Sequence, residues 1–125
     1  QNSIKINNIY RFQIIVKYKF DNKLFDCIKT IDNLYINEII DGIKNNESSI
    51  DEQIKSHLKD WSFDRLSKID LAILRLAIYE INYREDIPCK VSVNEAVELA
   101  KIFGEDSSPA FINGILAEVL KEVEE

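Results

Sequence analysis

The 125-residue chain has few of the residues that interrupt helices and few of those that ligate metals. It contains three glycines, two prolines, two cysteines, one histidine and no methionine. Cys27 and Cys89 are far apart and have no histidine near them, whereas a zinc site needs about four clustered ligands. No apolar run reaches the roughly 18 residues of a membrane span, and no secretory signal pattern is present. We therefore expect a cytoplasmic protein with reduced thiols, no metal, no cofactor and no membrane segment.

Catalytic motifs are absent as well. The chain has no G-x-x-x-x-G-K-[ST], G-x-G-x-x-G or G-x-S-x-G segment. The sequence therefore does not indicate a glycine-rich nucleotide-binding loop or the nucleophile-bearing turn of a hydrolase. The single histidine, His57, has no acid–base or metal partner in the sequence, and we expect it at the surface. Acidic pairs such as Glu85-Asp86 stand at turns and helix starts, where solvation and the helix dipole explain them. We predict that the protein is not an enzyme.

Charge is distributed unevenly along the chain. The formal net charge is -6, but residues 1–20 carry four basic residues and no acid, while residues 47–125 carry 9 basic and 17 acidic residues. Affinity for phosphate comes from Lys and Arg, so the acidic body would bind a polyanion poorly by itself. The basic N-terminal segment could bind nucleic acid with help from a partner, or it could be a solvated helix face.

Hydrophobic periodicity predicts an all-α fold of about seven helices in one compact domain, residues 1–125. The chain is organised around Leu66–Phe103, whose first half is apolar on nearly every side from Leu71 to Ile81 and must be surrounded by other elements. In residues 4–20 the apolar side chains fit both helical and alternating spacing, and we predict a helix because no second strand is available. A short amphipathic helix is predicted over residues 21–31. Three further stripes predict buried faces: Ile36, Ile39, Ile40 and Ile43, with Gly42 at a close crossing; Ile50, Ile54, Leu58 and Trp61; and Ile112, Ile115, Leu116, Val119, Leu120 and Val123.

Local signals predict where several helices begin and end. Capping boxes are indicated by three pairs: Ser48 with Asp51, Ser67 with Asp70, and Ser92 with Glu95. We predict that Gly104 ends its helix in the left-handed backbone conformation. Ser108 is predicted as the N-cap of the last helix and Pro109 as its first residue. Arg75 lies within the most apolar helix and needs a partner, so we expect a structural ion pair, with direct RNA contact as the alternative.

Three segments resemble the NusB family of bacterial transcription antitermination factors: DRLSKIDLAILRLAIYEI (Asp64–Ile81), DIPCKVSVNEAVELAKIFG (Asp86–Gly104) and FINGIL (Phe111–Leu116). A weaker similarity extends over Ile36–Asn46. The resemblance implies two packed helical subdomains and binding of the boxA RNA element of ribosomal RNA transcripts. It also implies pairing with NusE, a small ribosomal-subunit protein, and entry of the heterodimer into an RNA polymerase complex with other Nus factors. An alternative is a protein-interaction module, or a homodimer, with weakened RNA binding.

The resemblance also implies binding residues. Family RNA contacts lie on the first helix and on the loop before the last helix, which correspond here to two sets of residues: Lys5 and Arg11, and Phe103, Ser107 and Ser108. Asn7 and Asn8 stand where the family carries arginines. An exposed Phe103 would stack on a base, whereas a buried one would close the end of its helix. The surface that faces NusE is expected to include Gln13, Val16 and Asp70.

Overall fold

The structure is a computed structural model, which describes Arg11, Ile14, Ile15 and residues 33–124. Within these residues it consists of helices without strands. The helices are α1 (Asn33–Asn45), α2 (Glu47–Ser56), a 3₁₀ helix (Phe63–Arg65), α3 (Lys68–Tyr83), α4 (Cys89–Phe103) and α5 (Ser108–Glu124). The all-α prediction is confirmed. The helix expected over residues 4–20 and the short helix expected over 21–31 lie outside the described residues, apart from the three named above.

Helix α3 forms the centre of the fold. It is in contact with α1, α2, α4 and α5, and its buried residues include Ala72–Leu74 and Leu76–Ile81. Its one interior cation, Arg75, lies 2.8 Å from a Glu47 carboxylate oxygen and 2.7 Å from one of Asp51. The predicted surroundings of this helix and its predicted structural ion pair are both confirmed. The pair joins α2 to α3.

The predicted stripes on α1 and α5 supply eight further core residues. The four isoleucines of α1 are buried, as are Ile112, Ile115, Leu116 and Val119 of α5. Gly42 does mark a close crossing, because a Cβ atom there would lie 2.6 Å from Cζ of Tyr79 on α3. Val123 was predicted to be buried and is 44% exposed, since it lies in the final turn of α5.

The stripe through α2 ends sooner than its spacing predicts. Ile50 and Ile54 are fully buried, but α2 stops at Ser56, and the His57 backbone N–H closes its last turn onto the Ile54 carbonyl. Trp61 therefore lies in the link between α2 and α3 rather than on a helix face, and its side chain is 58% exposed. The prediction that Trp61 is buried was wrong because it assumed a helix that continues through residue 61.

Only one of the three predicted caps forms. The Ser67 hydroxyl accepts a hydrogen bond from the Asp70 backbone N–H at 3.1 Å. Helix α2 begins at Glu47 without a side-chain cap, which leaves Ser48 inside it, and α4 begins at Cys89, which leaves Ser92 inside it. Both predictions were wrong because Asn46 and Pro88 start these helices two to four residues earlier than the Ser-x-x-acid patterns indicate.

The boundary between α4 and α5 also differs from its prediction. Gly104 has φ −91° and ψ −172°, which is extended backbone and not the predicted left-handed conformation. A glycine is needed there for space, since a Cβ atom would lie 2.6 Å from Cβ of Ser108 and 2.8 Å from the Ala100 carbonyl oxygen. Helix α5 starts at Ser108, one residue before the predicted first helical residue, Pro109.

Candidate functional site

Three of the residues expected to contact RNA lie in or directly beside the link between α4 and α5, and they occupy different environments. Ser107 is exposed. Ser108 is buried, and its hydroxyl accepts a hydrogen bond from the Glu105 backbone N–H at 3.0 Å, which fixes the shape of the link. Phe103 is partly buried and packs against the core at the end of α4. Ser107 is thus the member of the three whose side chain is most open to a ligand.

A cleft of about 350 Å³ lies beside this link, and we name it the Ser107 cleft. Its walls come from the link between α2 and α3, the first turn of α3, the α4–α5 link and the first turn of α5. The lining residues are Trp61, Arg65, Leu66, Ser67, Asp70, Glu105, Ser107 and Phe111. The fold therefore brings Ser107, expected to contact RNA, into one cleft with Asp70, expected to contact the protein partner.

An aromatic pair separates the Ser107 cleft from a second cleft. The rings of Trp61 and Phe111 meet edge to face, with centroids 6.2 Å apart and planes inclined by 62°. Both residues also line the second cleft, which has a volume of about 370 Å³ and runs between the end of α2 and α5 past Lys59 and Gly114. We name it the Lys59 cleft. Trp61, Phe111 and Arg65 were not among the residues that the sequence predicted for this site.

The Ser107 cleft has mixed charge. Arg65 is exposed and forms no ion pair with another described residue, while Asp70 and Glu105 are acidic. Asp70 lies in the first turn of α3, where the helix dipole favours a carboxylate. Its Oδ1 atom is buried and has no hydrogen-bond partner among the described residues. Because a buried carboxylate oxygen without a donor is costly, this atom is suited to accepting a hydrogen bond from a ligand or partner.

Arg11 lies away from this cleft, in a buried network. Its side chain is 3% exposed, and its Nε and Nη2 atoms donate to the Glu80 carboxylate at 3.0 and 2.7 Å. Ser92 donates to the same carboxylate at 2.7 Å, so the network joins Arg11 to α3 and α4. We therefore propose a structural role for Arg11 in place of the RNA contact that the family resemblance implied. Lys5, Gln13 and Val16 lie outside the described residues.

Glu95 lies beside this network on α4. The pKa of its carboxyl group is raised, chiefly because burial disfavours the charged form, while the Arg11 charge opposes the shift. The capping box predicted for Ser92 and Glu95 is thus replaced by two separate roles. The Ser92 hydroxyl donates to Glu80, and Glu95 is a partly desolvated acid.

The lone histidine contributes to a contact between helices. His57 Nε2 lies 2.9 Å from a carboxylate oxygen of Glu122 on α5. This hydrogen bond, followed by one from Gln53, lowers the pKa of the Glu122 carboxyl group. Among the described residues, no three His, Cys, Asp or Glu side chains are grouped closely enough to hold a metal ion. No helix in the described ranges has the length and apolar character needed to cross a membrane.

The two clefts present groups that recognise nucleotides. They offer an exposed indole, hydroxyl groups and a guanidinium, which are groups that stack on unpaired bases or bind phosphate. Nothing local in the sequence distinguished Trp61 from a core residue, because its spacing from Leu58 continued a helical stripe. Its position depends on where α2 ends and on its contact with Phe111, fifty residues later in the chain.

Comparison with known proteins gives consistent matches. The NusB family model matches residues 5–121. The transcription antitermination protein NusB of Clostridium novyi is 52% identical over 94 residues, which is 75% of this chain and 71% of that protein. The solved structure of T. maritima NusB is similar with a TM-score of 0.80 at 33% identity, covering 92% of this chain and 90% of that one. A chain from a complex of the antitermination factors NusB and NusE with double-stranded RNA has the same fold, with a TM-score of 0.74 at 24% identity over 92% and 95% of the two chains.

Proposed function

The chain belongs to the NusB family, and on this basis we propose that it is a transcription antitermination factor. In this role it binds boxA RNA of ribosomal RNA transcripts together with NusE. The heterodimer then joins RNA polymerase and other Nus factors and suppresses early termination. The name of the Clostridium novyi relative, transcription antitermination protein, supports this role. The protein acts by binding, and we assign it no catalytic step.

The Ser107 cleft is the observation that carries the RNA-binding part of the proposal. Proteins that read single-stranded RNA stack unpaired bases on aromatic side chains and hydrogen-bond to their edges. Here an exposed Trp61, the Ser107 hydroxyl and the Arg65 guanidinium line one open cleft. We keep Ser107 as a direct RNA contact, Phe103 and Ser108 as residues that shape the link for RNA, and Lys5 as a phosphate contact from the N-terminal segment.

The mixed charge of the cleft supports a requirement for a protein partner. Asp70 and Glu105 offset the charge of Arg65, so phosphate binding would gain little from electrostatics in the isolated chain. A partner that brings basic residues would correct this deficit. The unpartnered Oδ1 atom of Asp70 is a suitable acceptor for an N–H group of that partner, and we keep Asp70, Gln13 and Val16 as proposed NusE contacts.

The alternative is a protein-interaction module that has weak RNA binding or none. Two observations favour it over a simple RNA-binding domain: the acidic residues in the Ser107 cleft and the burial of Arg11. Under this alternative the chain would bind NusE, or a second copy of itself, with no contribution from RNA.

Fluorescence anisotropy of a labelled boxA oligonucleotide tests the proposal. The RNA is titrated at low salt with the chain alone and with the chain plus NusE, and an RNA of scrambled sequence is the control. We expect boxA binding that NusE strengthens and that exceeds binding of the scrambled RNA. Absence of RNA binding under both conditions, with a heterodimer still detected by light scattering, would establish the interaction-module alternative.

A substitution of Ser107 tests whether the cleft is the RNA site. Ser107→Asp places a carboxylate beside the RNA and should cost on the order of 1 kcal/mol, which is a roughly five-fold loss of affinity. Ser48→Asp adds the same charge at an exposed position of α2 and is the matched control. Equal affinities of the two variants would show that RNA does not approach Ser107.

A further inference from the structure

We propose that Trp61 is a stacking platform for an unpaired RNA base and that the RNA strand crosses it from the Ser107 cleft into the Lys59 cleft. This inference rests on the proposed function and extends it, because neither the sequence nor the family resemblance assigned a role to Trp61. It is an exposed large aromatic side chain that lines both clefts. A strand that follows both clefts must pass over it.

The surroundings of Trp61 hold it in position without covering it. The edge-to-face contact with Phe111 supports the indole from α5, and more than half of the side chain remains exposed. On the other side of the link, Phe63 packs against the core, and the Lys55 ammonium lies 4.9 Å from the centre of its ring. The Arg65 backbone N–H also donates to the Ser62 carbonyl at 3.0 Å. A platform held in this way loses little conformational freedom when a base stacks on it.

Each cleft beside Trp61 holds one exposed cation and two acidic residues: Lys59 with Asp60 and Glu118, and Arg65 with Asp70 and Glu105. The cations can each contact a phosphate of a nucleotide strand, while the acidic residues call for the basic partner proposed above. Lys59 lines one cleft and Arg65 lines the other, and both side chains are exposed and form no ion pair within the described part of the chain. An aromatic ring with a cation on each side matches a base with a phosphate on each side, which is the pattern of single-strand binding grooves.

The chain contains one tryptophan, so its fluorescence reports on this site directly. The boxA oligonucleotide is added to the full chain in complex with NusE, and the same complex made with Trp61→Phe serves as the blank for emission from NusE. We expect the RNA to quench Trp61 emission in parallel with the anisotropy of labelled RNA. Binding without any change in Trp61 emission would overturn the stacking role.

Affinity measurements separate stacking from general apolar contact. Trp61→Ala should weaken binding roughly 5- to 100-fold, and Trp61→Phe should retain most of the affinity because it keeps an aromatic face. Trp61→Leu preserves apolar volume without that face and should behave like the alanine variant. Tyr83→Ala, at the opposite end of the 16-residue helix α3, is the control and should bind like the unsubstituted protein.

Salt dependence tests the two cations. Lys59→Ala and Arg65→Ala should each reduce the slope of log affinity against log salt by about 0.7, the value for one phosphate contact on a single strand. Lys90→Ala, an exposed lysine at the start of α4, should leave the slope unchanged.

If RNA binds but the Trp61→Leu variant and both cation variants match the unsubstituted protein, the stacking role of Trp61 is wrong and the proposed function stands. If the unsubstituted complex binds no RNA, both fail.

Discussion

The buried network of Arg11, Glu80 and Ser92 yields a quantitative prediction about stability. Glu80→Met would leave the Arg11 guanidinium inside the protein without its carboxylate, and Nη1 of this group already lacks a partner among the described residues. Removing one member of a buried ion pair costs about 3–5 kcal/mol because an uncompensated charge stays buried. We expect this loss for Glu80→Met and a similar one for Arg11→Met, which leaves Ser92 as the described hydrogen-bond donor to Glu80.

The double variant shows whether the two residues act as a pair. Arg11→Met with Glu80→Met removes both charges and keeps the space filled with apolar side chains. The free energy of unfolding of this double variant should therefore fall by less than about 2 kcal/mol. The sum of the two single losses would be about 6–10 kcal/mol, which corresponds to a strongly favourable coupling energy. For a chain of this length the single losses lower the melting temperature by on the order of 10–20 °C.

Urea unfolding followed by circular dichroism measures all four proteins of this cycle, with the slopes compared to verify two-state behaviour. A double variant as unstable as the sum of the singles would refute the reasoning. The double variant also tests the structural role of Arg11, since it should bind RNA normally well below its melting temperature. Weaker binding together with a smaller salt slope would show that Arg11 contacts phosphate.

Two further stability predictions follow from the packing. Gly42→Ala should destabilise the fold by about 1–3 kcal/mol, because its Cβ atom would overlap the ring of Tyr79, whereas Gly114→Ala should add about 0.5–1 kcal/mol, because its Cβ atom would meet nothing within 4 Å. Chemical denaturation of both variants checks the opposite signs, and a gain for Gly42→Ala would contradict the close crossing. The raised pKa of Glu95 means that the folded state holds this proton more tightly than the unfolded chain. The protein therefore loses stability as pH rises from the pKa of Glu95 in the unfolded chain through its pKa in the folded state. Glu95→Gln removes this loss, so it should raise the free energy of unfolding by a few tenths of a kcal/mol at neutral pH and leave it unchanged below about pH 4. Melting temperatures across this pH range test it, and a pH-independent difference would exclude the titration of Glu95 as the cause.

The sequence alone determined the fold class and the identity of the core helix. The series from Leu71 to Ile81 is apolar except at Arg75, Tyr79 and Glu80, and a helix of this kind can be stable only when other helices cover it. The charge of Arg75 in that series required a partner for the same reason, and the structure supplies Glu47 and Asp51. The family resemblance also came from the sequence, since it depends on several motifs in their order along the chain.

The tertiary structure decided the positions of the polar and aromatic residues at the helix ends. Ser92 was predicted to cap its helix, but that helix begins at Cys89, and the Ser92 hydroxyl instead donates a charge-assisted hydrogen bond to the Glu80 carboxylate. Trp61 continued a buried stripe in sequence but became exposed because α2 ends five residues before it. Arg11 had the charge of a surface residue but is buried beside Glu80, 69 positions away. Apolar burial follows from local periodicity, whereas the environment of a polar or aromatic side chain at a helix end depends on distant residues that only the folded chain brings together.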